Sequence, residues 1–134
     1  MTPDEFMQTY EAATRAHDLD ATVGMIADDA IYLFSNKTSY VGKEAIRSVL
    51  QTNFELIRAE TYAIHGLKWL ASSGDVAACV YEFAWSGEID GKPASGNGRG
   101  TTVIRRIGSQ WQVAHEHLSA GPLWDARSEA IQAG

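Results

Sequence analysis

Apolar positions recur at helical spacing over the first part of the chain and at alternate residues thereafter, which predicts helices followed by a sheet. The opening 2-TPDE-5 combines a Thr N-cap, a Pro at the first helical position and a Glu at the third. A helix therefore begins here and carries Phe6, Tyr10 and Ala13 on one face. Asp18 caps a second helix with Leu19, Val23 and Ile26 inward, and 28-DDA-30 ends it before the β-like run 30-AIYLF-34. After the polar turn 35-SNKTS-39, Gly42 opens a third helix in which Ile46, Val49, Leu50, Phe54 and Ile57 share a face.

Segments near 61–71, 76–88, 95–107 and 110–119 alternate like strands, separated by 72-SSGD-75, 90-DGK-92 and 108-GS-109, all rich in turn-tolerant residues. Three helices followed by an antiparallel meander make an α+β domain whose concave sheet face can line a pocket. The stretch 96-GNGRG-100 leads into a strand rather than a helix N-terminus, so its glycines serve to bend the strand and not to cradle phosphate. A single domain is expected over 1–124, followed by the polar tail 125-DARSEAIQAG-134.

Composition narrows the partners. The chain has 134 residues, 45% of them hydrophobic, enough for one core. A net charge of -6 with scattered Lys and Arg gives no footprint for nucleic acid and repels anionic membranes. No apolar run approaches the ~20 residues needed to span a bilayer, and no leader pattern opens the chain. The single cysteine, Cys79 in 76-VAACVYEFAW-85, has no intramolecular disulfide partner; a buried thiol in a reducing, cytoplasmic setting is expected.

The order of elements, the phrase 18-DLDATVGMIADDAIYLF-34, the Gly-Lys-Glu-Ala-Ile start of helix three and the ending 101-TTVIRRIGSQWQVAHEHLS-119 resemble the SnoaL-like and ketosteroid-isomerase-like branch of the nuclear-transport-factor-2-like superfamily. Within that likeness, 74-GDVAACVYEFAW-85 and 103-VIRRIGSQWQVAHEHLSAGP-122 are similar to the association domain of calcium/calmodulin-dependent kinase II. The resemblance implies a cone: one curved sheet wrapped on three helices, a pocket at the wide end and usually a homodimer through the sheet. It implies no single activity. Tyr10 matches the tyrosine of the steroid isomerases, but Phe34 and Thr102 stand at their two acid positions, so steroid isomerisation by that mechanism is not expected. Ala84, Thr102 and Leu118 replace the basic pocket positions of the kinase domain, which disfavours carboxylate ligands there.

Which residues face the pocket depends on hairpin register. A two-residue 108-GS-109 loop sets Thr102 opposite His115, and a three-residue bulged loop sets it opposite Glu116; the resemblance favours the second. On that register Glu82, Thr102, Ile104, Ala114, Glu116 and Leu118 share the concave face near Tyr10 and Phe34. Glu116 and Glu82 are the acid/base candidates with Tyr10 assisting, and Phe34, Ala84, Thr102, Ile104 and Leu118 are the ligand-lining ones. The plain alternative pairs each glutamate with Arg99, Arg105 or Arg106.

His115 and His117 have i, i+2 spacing and with His65 are conceivable metal ligands. On the favoured register they lie instead on the convex face with Trp111 and Val113, at a dimer interface shared with Tyr81, Phe83 and Trp85. No metal and no cofactor is expected, because no binding motif is present. The functional expectation is a small apolar or polycyclic ligand in the cone, with cofactor-free isomerisation, cyclisation or dehydration as the fitting chemistry. The rival is a noncatalytic homodimeric association or ligand-sensing module.

Overall fold

The computed structural model describes residues 1–123; Trp124 and the 125–134 tail lie outside the described residues. The three predicted helices form: α1 (Pro3–Arg15) and α2 (Leu19–Gly24) open the chain, and α3 (Lys43–Leu56) follows the first two strands. Thr2 accepts from the Glu5 amide and Asp18 from that of Ala21, so both predicted N-caps are formed. Gly42 occupies the N-cap of α3 at φ 93, a conformation that glycine adopts without a Cβ penalty. One face of α1 buries Phe6, Met7 and Tyr10.

Six strands form one sheet in the order β2-β1-β6-β5-β4-β3. They are β1 (Ile26–Leu33), β2 (Ser39–Val41), β3 (Arg58–Ser72), β4 (Val76–Ile89), β5 (Lys92–Ile107) and β6 (Gln110–Ala120). Two features depart from the expected meander. The polar turn read over 35–39 runs into an unexpected short strand, β2, which starts at Ser39 and pairs with β1 as a hairpin. More consequentially, β1 runs parallel to β6, so the sheet is mixed rather than purely antiparallel. The chain between these strands, α3 with β2 to β5, supplies the crossover that parallel pairing requires. Ile26, expected at the end of α2, instead opens β1 and is fully buried.

Turn chemistry and bulges shape the sheet. Ile89 pairs with Lys92 across Asp90 and Gly91, both at positive φ (54 and 75), the two-residue turn whose twist matches the flanking strands. The β3–β4 ladder shifts register three times, near Ala59, Gly66 and Trp69. Each bulge adds a residue on one side and increases local twist, so the long hairpin coils around the helices. The helices lie against the resulting hollow: the Glu11 carboxylate of α1 accepts from the Ile64 amide at 2.6 Å, and Asp4 accepts from the Trp69 indole at 2.6 Å. The core fills the narrow end, with Ile26, Ala30, Ile46, Ala77, Ile104 and Val113 wholly buried.

Candidate functional site

The hairpin register that brings Thr102 opposite Glu116 is the one formed, but by a different device from the expected loop. The turn has two residues, pairing Ile107 with Gln110; the extra residue is a bulge further along, at Ala114, between the Val103–His115 and Ile104–Val113 pairs. That bulge flips the parity of β6. Trp111 and Val113 therefore point inward together with Glu116, correcting their expected convex position. His115 and His117 do lie on the outer side, where a ring nitrogen of His115 is 2.7 Å from the Ile31 carbonyl oxygen. His65 is exposed on β3, and no histidine, cysteine or carboxylate cluster able to hold a metal occurs among the described residues.

β4 is also turned over relative to expectation. Ala77, Cys79, Tyr81 and Phe83 are the buried set, so Tyr81, Phe83 and Trp85 face the hollow, while Glu82 and Ala84 face outward. Glu82 accepts from the Leu123 amide at 2.9 Å, and its cross-strand neighbour is Arg99. Its place among the acid/base candidates, and that of Ala84 among the lining residues, are overturned by this facing. The physical reason is the cost of burying an ionisable side chain against that of burying aromatic rings.

The inward rings explain the glycines. Gly96, Gly98 and Gly100 are opposite Trp85, Phe83 and Tyr81 in the β4–β5 ladder. A Cβ on each would fall within 2.6 Å of the facing ring: 2.5 Å from the Trp85 indole nitrogen, 2.6 Å from Phe83 Cζ and 2.6 Å from Tyr81 Cε2. Three absent side chains thus seat three rings flat against the sheet, so a motif expected only to bend the strand also makes an aromatic wall.

A cavity of about 340 Å³ opens between this wall and the helices. Its apolar sides come from Phe34, Leu50, Phe54, Phe83, Trp85 and Leu118. Phe34 and Leu118 are where the sequence reading expected them. Thr102 and Ile104 share the inner face but are fully buried and do not reach the cavity; Thr102 is 2.7 Å from the Tyr81 hydroxyl.

Glu116 is the polar floor. It is only 7% exposed, and the Tyr10 hydroxyl donates to its Oε1 at 3.3 Å. The same hydroxyl is 2.6 Å from that of Tyr32, which is fully buried. Because a phenol carries one proton, Tyr10 donating to Glu116 must accept from Tyr32, which orders the three groups as a relay. Burial pushes the Glu116 carboxyl up to about 7, against the opposing pull of the Tyr10 and then the Tyr81 hydroxyls. The phenols of Tyr10 and Tyr32 are driven well above their ordinary value, first by burial and next by the Glu116 charge. They are therefore donors throughout the physiological range. A carboxyl that changes state near neutrality, beside phenol donors, can both give and take a proton and can hold an oxyanion.

A second polar group borders the cavity. Glu60 lines it, and the Nε2 of His17 is 2.5 Å from Glu60 Oε1. The His17 ring is stacked on Phe54 with centroids 4.4 Å apart. Tyr62, two residues beyond Glu60 on β3, faces the same space. Sequence reasoning missed Tyr32, Glu60, Tyr62 and the role of His17. Tyr32 carried a signal, since it alternates with Phe34 in 30-AIYLF-34; Glu60 carried none, because its facing is set by the bulge at Ala59. The arginines weighed as glutamate partners are engaged elsewhere: Arg105 with Asp29, Arg106 over the Trp111 ring, and Arg99 with Ser119 and the Pro122 carbonyl. Cys79 is fully buried, and burial pushes its thiol up to about 12, as suits a packing residue.

Solved structures share this architecture. A protein provisionally named an aromatic ring hydroxylase from Novosphingobium aromaticivorans superposes with a TM-score of 0.80 at 22% identity, covering 91% of this chain and 87% of its own. An NTF2-like protein of unknown function from Pseudomonas putida gives 0.77 at 24%, covering 93% and 87%. A provisionally named calcium/calmodulin-dependent kinase II association domain from Xanthomonas campestris gives 0.75 at 18%, covering 88% and 84%. No curated protein matches the sequence. The model of the SnoaL-like domain matches residues 4–122, nearly the whole described chain, and with the cone and its pocket in place the chain belongs to the SnoaL-like family.

Proposed function

We propose that this protein binds a small apolar or polycyclic molecule in the cone and moves a proton on it with its own side chains, as in an isomerisation, cyclisation or dehydration. The observation that carries the reading is Glu116: a buried carboxyl, raised to about 7, at the floor of the cavity beneath its aromatic wall and hydrogen-bonded by Tyr10. A carboxyl placed there for stability alone is a poor choice, since its ionisation opposes folding; one placed there for chemistry is half ionised at working pH. In this reading Glu116 exchanges the proton, and the Tyr10–Tyr32 pair stabilises negative charge developing on a ligand oxygen. Phe34 and Leu118 give the ligand apolar contact.

The test uses 2-tetralone, a bicyclic ketone with acidic α-hydrogens, and follows their exchange with deuterated solvent by proton NMR. Wild-type protein is expected to accelerate the exchange, and Glu116→Gln to lose about 100-fold of that acceleration while still binding the ketone. Equal rates in the two proteins would overturn the reading.

The outer sheet face supports the homodimer that the resemblance implies. Ile31, 42% exposed and paired with His115, and Val76, 49% exposed and opposite Arg105, lie on it. A monomer by light scattering at micromolar concentration would remove that proposal without touching the pocket.

A further inference from the structure

The His17–Glu60 contact is not explained by proton transfer at Glu116. Among the described residues four non-glycine ones have positive φ, and two of them converge on this contact: His17 itself at 55 and Ala59, next to Glu60, at 51. Left-handed backbone costs a non-glycine residue on the order of 1 kcal/mol. His17, in the turn that closes α1, and Lys37 and Asp90, outside the helices and strands, adopt it where it is ordinary; Ala59, inside β3, does not. At Ala59 the same conformation accompanies the first register shift of β3 and turns the Glu60 side chain toward the cavity.

The contact is also incompletely used. His17 meets Oε1 of Glu60, whereas Oε2 has no hydrogen-bond partner among the described residues. The hydroxyl of Tyr62, which lines the same cavity, likewise has no hydrogen-bond partner among the described residues. The Tyr62 phenol is pushed up first by burial and then by the charges of Glu116, Glu11 and Glu60, so it lies within the field of the floor carboxyl and of the Glu60 carboxyl. Between the two carboxyls the lining includes the aromatic and aliphatic side chains of Phe34, Leu50, Phe83, Trp85 and Leu118. A cavity with an acceptor at each end and apolar sides between them suits a ligand of the same pattern.

We propose that Glu60, held by His17, is a second ligand-binding pole, so that the ligand is a flat apolar molecule bearing a hydroxyl at each end. One hydroxyl meets Glu116 and Tyr10; the other donates to Glu60 Oε2. Glu60 is the contacting residue and His17 the positioning residue. The aromatic wall of Phe83 and Trp85, seated over Gly98 and Gly96, takes the flat middle of the molecule. The inference rests on the reading that the cavity above Glu116 is the ligand site.

Calorimetric titration of the whole protein with naphthalene, 2-naphthol and 2,6-dihydroxynaphthalene, at about pH 8, above the Glu116 midpoint and where the naphthols are still neutral, tests it. The diol is expected to bind about tenfold tighter than 2-naphthol, the worth of one hydrogen bond to a charged acceptor. Glu60→Gln should reduce that ratio to about one and leave naphthalene affinity unchanged, which also certifies the fold. His17→Asn, a residue tolerant of the left-handed backbone, should reduce the ratio partly, because Glu60 remains but is no longer held. A ratio near one in wild-type protein, or a tenfold ratio surviving in both variants, overturns the proposal. A ratio that depends on Glu60 while 2-naphthol affinity ignores Glu116→Gln sinks the role of the floor carboxyl and leaves the second pole standing.

Discussion

Replacing Glu116 by Gln should change how stability depends on pH, by an amount that follows from its burial. In the folded chain the carboxyl is raised from 4.5 to about 7. A raised folded-state value means that the folded form holds its proton longer than the unfolded form does, so the native state is disfavoured as pH climbs. Stability is fully retained below the unfolded value, falls between about pH 4.5 and 7, and levels off above that range. At roughly 1.4 kcal/mol per pH unit the loss totals about 3 kcal/mol. Glutamine keeps the shape and never ionises, so its curve lacks this descent. Other groups titrate equally in both proteins and cancel in the difference. Urea unfolding from pH 4 to 8.5 should therefore show the variant gaining on wild type by about 3 kcal/mol across the window, with equal m-values. Parallel curves would refute the reasoning, since they would mean that Glu116 ionises as freely in the folded chain as in the unfolded one.

Three further outcomes are expected. Gly98→Ala places a Cβ 2.6 Å from Phe83 Cζ and against the Ser119 carbonyl, and should cost at least about 2 kcal/mol in urea unfolding; Gly74→Ala, whose nearest neighbour is 3.9 Å away, should stay within about 0.5 kcal/mol. Tyr10→Phe removes the partner of Tyr32 and Glu116 and should cost about 1 kcal/mol, while the Glu116 midpoint rises because a hydrogen bond that favours the anion is gone. Cys79, with its thiol pushed up to about 12, should resist an aromatic disulfide reagent at pH 8 in the native protein and react once per chain after unfolding.

The helix caps, the alternating strands and the turns were legible because each is a local choice: Thr2 and Asp18 cap, and Asp90–Gly91 turns. What failed was parity, and bulges decide parity. Nothing in 110-QWQVAHEHLSA-120 marks Ala114 as the extra residue, yet its insertion moves Trp111 and Val113 to the inside. The misplacement of Glu82 was different in kind. The odd positions of 76-VAACVYEFAW-85 carry the aromatics, so their hydrophobicity puts them inward, whereas the register favoured by the resemblance sets Glu82 on the concave face. The parallel β1–β6 pair was hidden because strand neighbours far apart in sequence leave no local trace. Glu60 belongs with that class, its partner His17 being 43 residues away.

The central claim is that Glu116 holds a proton near neutrality inside the cone. Carbon-13 NMR of protein labelled at the glutamate side-chain carboxyls, with Glu116→Gln to assign the resonance, measures this directly. The account predicts a Glu116 midpoint close to 7 that rises in Tyr10→Phe. A midpoint near 4.5 would contradict it, since such a carboxyl would be solvated and fully ionised at the pH where the pocket is proposed to work.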